Sequence, residues 1–136
     1  MKILFFLVSI VLLFPIKLSG QKMNSEVIVQ KQLDAYNARN LSEFLSLYNH
    51  DIEIYNYREN EPFISGIEAL REVYEDVFDH SPELNATIKN RIVFENKVID
   101  FESVTGRKGV HLIEVIAIYE VKDNLIFRVT FIRKEQ

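Results

Sequence analysis

Cysteine is absent from the 136-residue chain, which excludes a disulfide, a thiolate nucleophile, a cysteine-held metal and a cysteine for lipid attachment. Stability must come from the apolar core alone. Glycine is scarce, with four in all, and none of them forms the glycine-rich turn that cradles a phosphate. The histidines His50, His80 and His111 show no metal-ligand spacing, so neither a metal nor another cofactor is expected. No serine sits in a nucleophile-elbow context. Positive charge is in deficit too: 16 Lys and Arg against 20 Asp and Glu give a net charge of −4. Nucleic acid is a poor partner for such a surface, because phosphate binding needs a clustered positive field.

A long hydrophobic run is also lacking. The uncharged stretch Ile3 to Phe14, with only Ser9 polar, is shorter than the ~18 to 20 residues of a spanning helix. Lys2 before it, Pro15 after it and the small residues Ser19 and Gly20 give the pattern of an export signal. The expectation is a leader over residues 1–20, one domain over 21–136, and a periplasmic or secreted product without a stable membrane span; an uncleaved anchor is the alternative. Loss of Lys2 and Lys17 takes the charge from −4 to −6. Asn40-Leu-Ser42 and Asn85-Ala-Thr87 match the glycosylation sequon, a motif frequent by chance.

What the chain does have is apolar material, 48% of residues with 12% aromatic, enough for one core and too little length for a second domain. Val29, Leu33 and Tyr36 recur at helical spacing, and Leu41, Phe44, Leu45 and Tyr48 share one face of a second short helix that Asn40 caps with Glu43. Ile52 to Tyr57 then alternates as a strand. A polar loop ending in Pro62 and a brief extended piece lead to a capping box, Ser65-Gly-Ile-Glu68, and a third helix carrying Ile67, Leu70, Tyr74, Val77 and Phe78. From Leu84 the period changes to long strands, about Asn85 to Glu95, Lys97 to Thr105, His111 to Val121 and Leu125 to Lys134. Helices followed by an antiparallel meander make an α+β layout.

The stretch AYNARNLSEFLSLYNHD, with the strand DIEIYNY that continues from it, resembles the start of the NTF2-like superfamily, and of its SnoaL-like and ketosteroid-isomerase-like domains in particular. The resemblance implies three N-terminal helices packed on a strongly curved, mostly antiparallel sheet, a cone with an apolar pocket. It implies a small hydrophobic or amphipathic ligand and a homodimer. In ketosteroid-isomerase-like members a carboxylate at the end of the first strand is the proton-shuttling base, and a helix tyrosine and a protonated aspartate are oxyanion donors. Those positions match Asn56, Gln32 and Ala117 here, none of which retains the catalytic group. Tyr74 matches a second tyrosine that is kept.

Within such a cone, Gln32, Tyr36, Asn56, Tyr74 and Tyr119 fall on the cavity side, where they hydrogen-bond a ligand or are satisfied by backbone and water. Arg128 alternates with Ile126, Thr130 and Ile132 and by that register points inward as an anchor for an anionic ligand; an ion pair with a neighbour is the alternative. Asp100 and Glu102 sit two apart, on one strand face, with Arg91 on the preceding strand. If that face lines the cavity, they form a site with a general base tuned by the arginine. If it faces outward, they are solvated charges, and alternation alone does not decide. Three functions stay open: ligand binding without catalysis, an isomerase- or hydrolase-type enzyme with its base moved to Asp100 or Glu102, and a structural dimer whose pocket is plugged by Tyr36, Tyr74 and Phe78.

Overall fold

The computed structural model describes residues 23–134. The expected leader over residues 1–20 lies outside the described residues. The elements are α1 (Ser25–Asn37), α2 (Leu41–Ser46), β1 (Tyr48–Asn56), β2 (Ile64–Ser65), α3 (Ile67–His80), β3 (Asn85–Phe94), β4 (Lys97–Thr105), β5 (Ile113–Lys122) and β6 (Leu125–Arg133). Among the described residues no helix is long and apolar enough to cross a membrane.

Helix starts are set by local hydrogen bonding. Asn24 caps α1 by accepting from Glu26 N–H at 3.0 Å. Asn40 caps α2, accepting from Glu43 N–H at 3.2 Å while its own amide reaches the Glu43 carboxylate. The expected capping box of α3 is not made, a correction with a clear cause. Ser65 is taken up by β2, opposite Glu53, and Gly66 becomes the N-cap at φ 86°, its N–H donating to Ile52.

The six strands form one sheet in the order β2-β1-β6-β5-β4-β3. Strands β3 to β6 are the antiparallel meander, and β1 joins β6 in parallel, the one parallel pair among the described residues. The sheet curves around the three helices, and its inner face with the helix faces makes the core: Ile28, Val29, Phe44, Ile52, Ile54, Leu70, Val98, Ala117, Ile126 and Val129 are all buried. On β4 the alternation is strict, with Val98, Asp100, Glu102 and Val104 inside and Ile99, Phe101 and Ser103 outside. Within the antiparallel meander two bulges interrupt the inward–outward alternation of their strands: Lys89 is an extra residue in β3 against β4, and Phe127 an extra residue in β6 against β5.

Candidate functional site

Between the inner sheet face and α1 and α3 lies a cavity of about 330 Å³, lined by Gln32, Leu33, Tyr36, Tyr74, Ala86, Glu102, Val104, Arg107, Ile113, Val115, Tyr119, Phe131 and Arg133. Its volume falls at the small end of the ~300 to 1,000 Å³ usual for ligand pockets. One wall is an aromatic cluster that also serves the core. The ring centroids of Tyr36 and Phe78 are 5.7 Å apart, those of Phe44 and Tyr74 4.6 Å, and Tyr36 and Tyr74 meet edge to face at 6.2 Å. Of these rings Tyr36 and Tyr74 line the cavity, without filling it, and Phe44 and Phe78 lie behind them in the core.

The face left open by alternation on β4 is the inner one for both carboxylates, yet the two part company. Asp100 is 1% exposed and sits opposite Arg91, which grips it in a fork: Nε to Oδ1 at 2.7 Å and Nη2 to Oδ2 at 2.8 Å. Arg91 Nη1 donates to Gln30 Oε1 of α1 at 2.8 Å, so the pair also fastens helix to sheet. Neither Asp100 nor Arg91 lines the cavity.

Glu102 does line it. Its cross-strand neighbours are apolar, Ile88 on β3 and Val115 on β5. Its one hydrogen-bond donor among the described residues is the Tyr119 hydroxyl, at 2.7 Å. Tyr119 stands opposite Val98, two pairs along; the row between them holds Ala117, whose small side chain leaves room for the ring to lie back toward Glu102. Burial pushes the Glu102 carboxyl up to about 7, the phenol hydrogen bond pulling it partly back. Tyr119 itself is held well above the usual phenol range by burial and by the adjacent carboxylate, so it stays a donor. Tyr74 is raised to about 12, chiefly by burial, and Tyr36 is raised by the same cause. The buried Tyr48 hydroxyl, also pushed up by burial, hydrogen-bonds the Gln32 side chain. A carboxyl that titrates near neutrality, flanked by phenols that do not, is equipped to take up and return a proton.

Two residues placed in the pocket by strand register stand elsewhere. Arg128 faces outward: the Phe127 bulge shifts the parity of β6, so that Ile126 and Val129 point inward, and the Arg128 guanidinium lies 4.2 Å from the Tyr55 ring centroid and beside Glu120. Asn56 ends β1 outside the cavity lining, where it donates to Glu59 at 3.0 Å and accepts from Arg133 Nη1 at 2.6 Å. Gln32, Tyr36, Tyr74, Tyr119 and Glu102 do line the cavity. Sequence reasoning passed over Arg107 and Arg133. With the bulge known, Arg133 is given by the parity of Val129 and Phe131; Arg107 sits in a glycine-flanked loop, where no periodicity operates. Among the described residues no group of three or more His, Asp or Glu is placed to hold a metal ion.

The helices-on-curved-sheet architecture and the cavity between its layers define an NTF2-like fold. Residues 29–129 match the SnoaL-like domain, and the chain belongs to that family. No curated protein matches the chain. Among solved structures it is similar to an uncharacterized cystatin fold protein from Novosphingobium aromaticivorans, at 26% identity and a TM-score of 0.75, covering 82% of this chain and 100% of that one. It is also similar to an NTF2-like protein of unknown function from Cytophaga hutchinsonii, at 12% identity and a TM-score of 0.68, over 85% of this chain and 94% of the other. A third, a computationally designed 17-OHP binder, shares 12% identity at a TM-score of 0.69, over 80% and 91% of the two chains. The last two likenesses are of fold.

Proposed function

We propose that the cavity binds a small hydrophobic or amphipathic molecule and that Glu102 exchanges a proton with it. The observation that carries this reading is a buried carboxyl facing an open cavity, with a phenol for its only hydrogen-bond donor among the described residues and no cation paired with it. As a base, Glu102 takes a proton from a carbon next to a carbonyl; the C–H electrons pass to the carbonyl oxygen, and the Tyr74 or Tyr36 hydroxyl stabilises the developing negative charge. Return of the proton from Glu102 to a carbon completes an isomerisation. The vacancy at Asn56 is then a relocation, not a loss, of the acid–base group. Proton NMR tests it: a panel of β,γ-unsaturated ketones and 1,3-dicarbonyl compounds in D2O should show carbon-bound exchange that the Glu102→Gln variant lacks. Binding without exchange across the panel would leave a binding protein and refute the chemistry.

Two further parts of the reading concern the whole molecule. The outer sheet face exposes Ile92 and Phe101, with Ile99 and Ile116 beside them, and a second copy of the chain is the proposed cover. A Phe101→Glu variant sedimenting at the same mass as the parent chain would refute this. Export rests on the apolar pattern of residues 3–14, and N-terminal sequencing of the expressed product tests it.

A further inference from the structure

The charged residues of the cavity lining are Glu102, Arg107 and Arg133. The chain as a whole is acidic, with 20 acidic residues against 16 basic, yet with Glu102 protonated the lining carries two positive charges and no negative one. Both guanidinium groups line the same cavity as Tyr74, and each favours the ionised form of its hydroxyl.

Arg133 is held by its side-chain partners, Arg107 through the backbone of its loop. Arg133 donates to Asn56 Oδ1 at 2.6 Å and stacks against two rings, Phe131 at 5.2 Å and Phe63 at 5.3 Å. Its partners among the described residues are neutral and leave its charge uncompensated there, with several of its N–H groups available to a ligand. Arg107 belongs to the β4–β5 loop, which is pinned to the α3–β3 corner on either side of it. On one side is Gly106, at φ 74°, where a Cβ would lie 1.9 Å from the Glu83 carbonyl oxygen. On the other, Lys108 N–H donates to the buried Ser81 hydroxyl at 3.1 Å. The Arg107 side chain itself makes no hydrogen bond or ion pair with the described residues. A guanidinium on a pinned loop that no group among the described residues satisfies, at the edge of a cavity of mixed apolar and polar lining, is a ready fork for a carboxylate.

Resting on the reading that the cavity binds a small molecule, we infer that its ligand is an anionic amphiphile, an apolar body with one carboxylate that Arg107 and Arg133 hold at the cavity mouth. The body lies along Leu33, Ile113, Val115 and Phe131, and its inner end meets Glu102, Tyr74 and Tyr119. The Asn56 side chain is thereby a positioning residue. At the place where a resembling enzyme would keep its base, this chain keeps an amide that orients Arg133.

The test is a matched pair of probes, 4-phenylbutyrate and 4-phenylbutanol, titrated by calorimetry and by NMR of the Ile113 and Val115 methyl groups. At about pH 6 the probe acid is ionised while Glu102 is mostly protonated. The acid should bind about tenfold more tightly than the alcohol, and Arg107→Gln or Arg133→Gln should remove most of that preference while leaving the alcohol's affinity in place. A Lys122→Gln control, at the exposed end of β5 and outside the cavity lining, should change neither. Equal affinity of the two probes, or equal loss of both in the arginine variants, overturns the carboxylate assignment and leaves the cavity reading intact. Failure of both probes to shift the cavity methyl groups overturns the cavity reading with it.

Discussion

Replacing Glu102 with Gln removes the ionisable group and keeps the shape, since the amide oxygen still accepts from Tyr119. In the folded chain burial sets the carboxyl at about 7 against an ordinary 4.5. A carboxyl raised on folding stabilises the protein only in its protonated form. Below pH 4.5 folded and unfolded states are both protonated and the group contributes nothing to the pH dependence. Between 4.5 and about 7 the folded state holds the proton and the unfolded state has lost it, so stability falls as pH rises, by at most about 1.4 kcal/mol per pH unit. Above about 7 the whole penalty is in force, about 3 kcal/mol.

The variant escapes that penalty. Its stability relative to the parent chain should climb by about 3 kcal/mol between pH 4.5 and pH 8, whatever constant offset the amide introduces. Urea unfolding monitored by circular dichroism at several pH values reads this difference directly, as a widening gap in midpoint of about 1 M or more. Glu114, held down to about 2 by its hydrogen bonds with Lys134 and Lys89, loses its contribution only as pH falls below 4.5, outside this window and equally in both proteins. Parallel stability profiles for the two chains would refute the argument, because they would mean that Glu102 ionises in the folded protein as freely as in water.

Three other perturbations address the supports of the site. Tyr119→Phe removes the O–H that stabilises the Glu102 carboxylate, so carbon-13 NMR should show Glu102 titrating still higher than about 7; an unchanged or lower midpoint would contradict the assigned hydrogen bond. Gly106→Ala places a Cβ against the Glu83 backbone at a φ of 74°, with an expected loss of roughly 2 kcal/mol or more in unfolding free energy, and a thermal midpoint within a degree of the parent would show that the loop is not pinned there. Arg91→Ala leaves Asp100 buried and uncompensated, with a cost of about 3 to 5 kcal/mol by denaturant titration. Much of that should return in the double variant Arg91→Met with Asp100→Leu.

Much of the fold is dictated by periodicity. The three helices, the four long strands and the Asn40 cap stand where spacing and side-chain chemistry place them, within a residue or two. The site was less legible because it depends on parity, and parity is lost at each bulge. Extrapolation from Ile126 turns Arg128 inward, yet Phe127 is an unpaired extra residue and the true inward series is Val129, Phe131 and Arg133. The face of Asp100 and Glu102 was undecidable for another reason: the alternative set, Ile99, Phe101 and Ser103, is as apolar as an inner face and shows outside as a patch. Ser65 carried the composition of a cap, but pairing with Glu53 claimed its backbone first.

The same bulge logic explains why two carboxylates two residues apart have different roles. Opposite β4, the inward positions of β3 are Ala86 and Ile88 before the bulge and Arg91 and Val93 after it. Were Lys89 paired with Phe101 and not bulged out, strict alternation would set Asn90 against Asp100 and turn Arg91 to the outer face with Ile99. The bulge therefore keeps a guanidinium at Asp100 and, in the same step, sends the Lys89 charge to Glu114 on the outside. Glu102 lies on the other side of the irregularity, opposite Ile88, beyond the reach of either cation's hydrogen bonds. A neutral phenol is what remains to it. One unpaired residue in a neighbouring strand thus makes Asp100 a structural anchor and leaves Glu102 the group able to change its charge near neutral pH.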